Sequence, residues 1–227
     1  MATHTLLSGL PSGTNTDREP LVLTVPGLNN SGPGHWQTIW EQEFDNCHRV
    51  DLGLWDDPHR NTWVNKLNLA IQRADRPVVL VAHSLGCLAV AWWAEYEQPG
   101  RDGPVVGALL VAPPDVEERP LDRRLTRFAP FPPAELPFPS ILVASRNDPY
   151  LRFSAARRLA TVWGSRFADA GPAGHINAES DLGEWTFGQL LLSQLLPDGL
   201  RSAVAGKRPL PRLGSIGDGR GQHLAER

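Results

Sequence analysis

The sequence predicts an α/β domain with a mostly parallel sheet of about six strands and helices on both faces. Three observations carry this. Short apolar, β-branched runs alternate with helix-period apolar stripes along most of the chain. One stretch, VVLVAHSLGCLAV at Val78–Val90, changes from a strand-like run to a helical period within about three residues, with Ser84 at the corner. The hydrophobic content, 41% of 227 residues, suits one well-buried domain and is short for two.

In chain order, strand-like runs appear at Leu21–Val25, near His48–Leu52, and at Val78–Val81, Val105–Val111, Ile141–Ala144 and Ser165–Ala170. Between them lie apolar faces at helical spacing: Trp36, Ile39, Trp40 and Phe44; then Trp63, Leu67, Ala70 and Ile71. After Ser84 come Leu85, Leu88, Ala89, Trp92 and Trp93, followed later by Phe153, Ala156, Leu159, Ala160 and Trp163. A last stripe runs from Leu182 and Trp185 to Leu196. Alternation of this kind implies βαβ crossovers and a parallel sheet. The domain is expected to span residues 20–196. Residues 1–19 and 197–227 hold too few clustered apolar side chains to offset chain-ordering entropy and read as disordered ends.

Pro113–Pro139 breaks the pattern. Its eight prolines exclude a continuous helix or a central strand. Leu121, Leu125, Phe128 and Phe131 offer apolar surface there, which predicts an apolar pocket. The competing reading has these side chains pinning a surface segment to the core.

A net charge of −3 supplies no basic field for nucleic acid or an anionic membrane. No apolar run approaches membrane-spanning length, and the first residues lack the basic start and apolar core of a signal peptide. The two cysteines are too few for a disulfide framework, so a reduced, cytoplasmic setting is expected.

Ala82–Gly86 spells A-H-S-L-G, a nucleophile-elbow pattern with small residues two before and two after the serine, where strand and helix backbones must pass closely. A serine ahead of an apolar helix is often only an N-cap. Here further residues follow in the order that a serine nucleophile needs: an acid, then a histidine. Asp148 sits in R-N-D-P-Y after the Ile141–Ala144 run, and His175 in G-P-A-G-H-I-N after the last run. Both fall at the carboxyl end of a strand, the edge on which Ser84 opens. His83 adjoins the nucleophile and cannot swing into line with it; His35, His48 and His59 precede Ser84, and of these His35 merits attention. The first strand ends in the glycine-rich V-P-G-L-N-N-S-G-P-G-H-W, so the backbone N–H groups of Leu28 and Leu85 are the candidate oxyanion donors.

A glycine-rich strand-to-helix turn also suits a phosphate, yet neither G-K-S/T nor G-x-G-x-x-G is present. Nor is there H-E-x-x-H, C-x-x-C or paired histidine on one helix face. Neither cofactor nor metal is expected. Trp36, Trp40, Trp55 and Trp63 read as core, with Trp55 or Trp63 as alternative pocket residues. Asp56 and Asp57 precede Pro58 and read as a turn or as partners of Arg60.

VPGLNNSGPGHWQTIWE at Val25–Glu41, WDDPHRNTW at Trp55–Trp63, AHSLG, SRNDPY at Ser145–Tyr150 and GHIN at Gly174–Asn177 together resemble the retinoblastoma-binding protein 9 / YdeN group of small serine hydrolases within the α/β-hydrolase superfamily. The resemblance covers about Leu21 to Leu196. It implies a compact sheet lacking the two leading strands of larger relatives, and hydrolysis of simple esters or amides by a Ser-His-Asp triad through an acyl-enzyme. The L-x-C-x-E motif behind the group's name is incomplete: Leu85-Gly86-Cys87 is followed by Leu88-Ala89, so a retinoblastoma-type partner is not expected. The expected partner is a small-molecule ester or amide. The alternative is a catalytically idle protein of the same fold acting as an interaction module.

Overall fold

Parallel strands buried on both faces need apolar side chains at every position, and the three central runs of this chain supply them. The computed structural model describes residues 19–196, so the predicted disordered ends lie outside the described residues apart from Glu19. Six strands form one sheet: β1 (Leu21–Val25), β2 (Cys47–Arg49), β3 (Val78–His83), β4 (Val105–Val111), β5 (Ser140–Ala144) and β6 (Arg166–Asp169). Their order is β2-β1-β3-β4-β5-β6, and every neighbouring pair is parallel. The helices are α1 (Trp36–Glu43), α2 (Arg60–Gln72), α3 (Leu85–Glu97), α4 (Phe153–Val162) and α5 (Thr186–Ser193).

Alternate residues of the central strands feed two cores. Leu80, Ala82 and Leu110 face α2, α3 and α4, while Val79, Val81, Leu109 and Val111 face α1 and α5. The α3 helix is buried from Leu85 to Ala94, as its nearly unbroken apolar sequence requires. The edge strands are shorter than their sequence runs. β2 has three residues, and β6 is exposed or half-buried throughout, so fewer side chains are held in register there. The last helical stripe is also trimmed: α5 starts at Thr186, because Trp185 takes a left-handed backbone with φ 44°.

The tryptophans pack as core. Trp36, Trp40 and Trp63 are buried and their indole N–H groups donate to the carbonyls of Ile176, Glu184 and Gly53, respectively. Trp55 is half-buried against Trp63, with ring centroids 5.6 Å apart.

The 113–139 segment has no regular structure beyond a six-residue 3₁₀ turn, Arg123–Phe128, capped by Asp122. It is fastened to the domain. Phe128 is fully buried, meets Trp63 edge-on at 5.4 Å, and its carbonyl accepts from Trp92 Nε1 at 2.7 Å. Trp163 Nε1 donates to the Pro132 carbonyl. Asp57 pairs with Arg127 of this segment and not with Arg60, whose guanidinium instead lies over Trp92 and donates to the Ala129 carbonyl. Of the two readings for Asp56 and Asp57, the turn is present, with the Asp57 N–H donating to the Leu54 carbonyl; the pairing with Arg60 is not formed, because Arg127 of the later segment reaches Asp57 instead.

Removing the Phe128 ring leaves a cavity that a proline-stiffened segment cannot collapse into. Phe128→Ala is expected to lower the unfolding free energy by about 3–5 kcal/mol, measured by urea denaturation. A loss below about 1 kcal/mol would show that the ring is not a core element.

Candidate active site

The turn from β3 into α3 places Ser84 at φ 53° and ψ −127°, a region that L residues rarely adopt. Its backbone N–H donates to the Val111 carbonyl, and its own carbonyl accepts from Cys87 N. Two glycines make the turn fit. A Cβ on Gly86 would lie 2.1 Å from the Val25 carbonyl oxygen, and one on Gly27 would lie 2.7 Å from Ser84 Cβ. Gly86 therefore lets α3 cross the end of β1, and Gly27 lets the β1 loop lie against the serine.

The three residues singled out in the sequence meet. His175 Nε2 is 2.9 Å from Ser84 Oγ, and His175 Nδ1 is 3.0 Å from both oxygens of Asp148. A carboxylate only accepts, so Nδ1 carries the proton and Nε2 is left to accept from the serine hydroxyl. The Asp148 and His175 side chains are 3% and 8% exposed, which keeps water from competing for this pair.

Several groups that sequence reasoning missed hold the acid and histidine loops together. The Ser145 hydroxyl accepts from Ala173 N at 2.9 Å and Asn147 Oδ1 from Gly174 N at 2.8 Å, joining the loops after β5 and β6. Tyr150 N donates to Asp148, and the Tyr150 ring lies on the His175 imidazole with centroids 4.1 Å apart. His83 Nε2 donates to the His175 carbonyl, and Trp36 Nε1 donates to the next one, Ile176. The S-R-N-D-P-Y motif carried the signal for Ser145, Asn147 and Tyr150. No local signal marks the His83 bond, which joins residues 92 apart.

Both predicted oxyanion donors border the serine. Leu85 opens α3, where a backbone N–H has no intrahelical acceptor. A Cβ on Gly27 would lie 3.0 Å from the Leu85 nitrogen, so Gly27 packs against it, and Leu28 lines the cleft beside Ser84. The loop that continues from Leu28 is braced from below. Arg49 donates to Asn30 Oδ1, the Ser31 carbonyl and the Thr38 hydroxyl, and pairs with Glu41. Buried Gln37 joins the Ser31 hydroxyl to the Val81 carbonyl.

The cleft over Ser84 has a volume of about 300 Å³ and is walled by Asn29, Asn30, His35, Leu125, Asn177 and Glu179 among others. This corrects the apolar pocket expected from the 113–139 segment. Leu125 reaches the cleft, but Phe128 is buried in the core, Phe131 faces Trp163 and Leu121 is 61% exposed. The aromatics pin the segment, and the β1 and His175 loops supply walls of mixed polar and apolar character.

Two further histidines lie beneath the site. His35 meets His83 edge-on at 4.7 Å, and His83 lies 5.0 Å from His175. Burial, then Arg49 and His175, push His35 down to about 4. Burial, then repulsion from His35 and His175, holds His83 well below its ordinary range despite its bond to the His175 carbonyl. Among the described residues no group of three or more His, Cys, Asp or Glu side chains is placed to hold a metal ion, and no helix is long and apolar enough to cross a membrane.

The comparisons agree with this fold. A YdeN-like hydrolase from Pectobacterium atrosepticum is 32% identical, with a TM-score of 0.68 over 79% of this chain and 94% of that one. The ydeN gene product of B. subtilis is 18% identical, with a TM-score of 0.60 over 77% of this chain and 97% of that one. Est1E from Butyrivibrio proteoclasticus shares the fold at 15% identity, with a TM-score of 0.58 over 81% and 91% of the two chains. Among curated protein sequences none matches. The serine hydrolase family model matches residues 22–194, the stretch that holds the sheet and all three of Ser84, Asp148 and His175, and the chain is therefore a member of the YdeN-type serine hydrolase family with the α/β-hydrolase fold.

Proposed function

We propose that the chain hydrolyses an ester or amide of a small acyl group through an acyl-enzyme on Ser84. The observation that carries this reading is the continuous hydrogen-bonded line from Ser84 Oγ through His175 to Asp148. Ser84 Oγ attacks the acyl carbonyl as His175 Nε2 takes its proton. His175 then hands that proton to the leaving group, and water clears the ester by the same route in reverse. Asp148 fixes the imidazole tautomer and stabilises the imidazolium. The Leu28 and Leu85 N–H groups receive the developing oxyanion.

A cleft of about 300 Å³ lies at the small end for ligand sites, which favours a compact acyl group. A catalytically idle interaction module would have no use for a serine held at φ 53°. Leu85 and Cys87 are fully buried, so the proposal includes no partner that reads them, and two buried unpaired thiols suit a reducing cytoplasm.

Fluorophosphonate labelling tests the nucleophile. Ser84→Ala is expected to abolish labelling and to cost on the order of 10⁴ to 10⁶ in turnover of 4-nitrophenyl esters while the fold is kept. Retention of a tenth of the activity would overturn the mechanism. Asp148→Asn is expected to slow acylation by roughly 10⁴, because an amide cannot hold the same tautomer. Stopped-flow release of nitrophenolate reads that step, and a loss under about tenfold would remove Asp148 from its role.

Acid is expected to lower stability, because His35 and His83 are buried as neutral rings and take up protons more readily in the unfolded chain. His35 drops from 6.5 to about 4 on folding, so between those limits the unfolded state binds more protons and the unfolding free energy decreases as pH decreases. Thermal melts from pH 7 to pH 4 are expected to show a progressive fall in Tm. A flat profile would contradict the burial of these rings.

A further inference from the structure

His35 lines the cleft with a buried ring nitrogen that the proposed triad leaves unused. It caps α1 from the β1 loop: its Nδ1 accepts the Gln37 N–H at 3.1 Å. A ring nitrogen that accepts carries no proton, so in the neutral imidazole the proton sits on Nε2. Burial, Arg49 and His175 keep the ring neutral near pH 7 by pushing it down to about 4. Nε2 is buried and meets no acceptor among the described residues, although the residue is only 4% exposed and forms part of the cleft wall beside Ser84 and His175. A buried donor left unmade is unfavourable, and a ligand that brings the acceptor removes the penalty.

We infer that His35 is a specificity-determining residue whose Nε2–H donates to an ether, hydroxyl or carbonyl oxygen in the acyl part of the substrate, within a few atoms of the scissile carbonyl. The inference rests on the hydrolase reading above. The leaving group must sit against His175 Nε2, the atom that returns its proton, so the wall formed by the β1 loop and ending at His35 is left for the acyl portion. That wall carries polar groups beside Leu28: Asn29 and Asn30, at φ 63° and 64°, adjoin the same cleft. A site built to hydrogen-bond an oxygen rejects the analogue in which a methylene replaces it, because its own donor is then stranded.

Isosteric ester pairs separate this role from packing. The 4-nitrophenyl esters of methoxyacetate and 3-methoxypropionate are compared with butyrate and valerate, each kcat/KM being divided by the ester's rate with hydroxide to remove the inductive effect of the ether. The wild-type protein is expected to favour at least one ether ester over its isostere by about tenfold, the worth of one neutral hydrogen bond. Two variants divide the ring's two duties. His35→Asn keeps a side-chain acceptor for the α1 cap and removes the distal donor, so the preference is expected to fall to near one with little change in Tm. His35→Gln places an amide N–H near the Nε2 position and loses the cap, so it is expected to keep most of the preference at a lower Tm. A purely structural His35 would change both members of a pair equally. An unchanged ratio in His35→Asn, or no preference in the wild-type protein while fluorophosphonate still labels Ser84, overturns the role of His35 and leaves the hydrolase reading standing. Absence of labelling in the wild-type protein overturns both.

Discussion

The constraint on which the site depends is the close approach of three backbone segments around Ser84. The end of β1, the corner after β3 and the start of α3 occupy a space where no Cβ fits at Gly27 or Gly86. This crowding holds the serine at a φ of 53°, a strain worth about 1–3 kcal/mol that only a well-packed surrounding sustains. The surrounding is the centre of the sheet, where β3 is paired on both sides and wholly buried. The same crowding sets Gly27 against both Ser84 and the Leu85 amide without any side chain having to reach for the serine.

The histidine is positioned by different means. Its loop leaves β6, an edge strand with little burial, so the sheet alone does not hold it. Hydrogen bonds to two successive carbonyls do: His83 reaches that of His175 and Trp36 that of Ile176. From the other side, Ser145 and Asn147 fasten residues 173 and 174. Ile176 itself is held at φ 51°, unfavourable for a β-branched residue, which these bonds over-determine. A rigidly held serine thus meets a histidine anchored at both ends of its turn, which is what a bond of 2.9 Å between them needs to persist.

The extent to which sequence revealed this follows from the range of the interactions. The β1 and β4 boundaries matched the apolar runs residue for residue, because strands buried on both faces admit few polar side chains. The residues of the triad were legible for a similar reason: each falls just after such a run, and the sheet brings all carboxyl ends to one edge. The edge strands were less legible, since their burial depends on what packs over them. Pairings across large separations, such as Asp57 with Arg127 or His83 with the His175 carbonyl, leave no periodic trace. The apolar pocket was misjudged because composition does not say which way an aromatic points. Phe128 faces inward, where Trp63 and Trp92 receive it.

That misjudgement moves the seat of selectivity. A covering segment tied down by Phe128, Arg124, Arg127 and the Trp163–Pro132 bond has little freedom to reshape the cleft around different acyl groups. On the proposed reading, discrimination then falls to the β1 loop, which ends at His35 with its unpartnered Nε2. In the proposed mechanism the β1 loop also offers Leu28 to the oxyanion, and Arg49 and Gln37 brace this loop from below. On that proposal, recognition of the acyl group and stabilisation of the transition state share one rigid element. A substrate that satisfies the loop's polar groups is thereby seated with its carbonyl against the oxyanion donors, so that binding energy at one end serves the chemistry at the other.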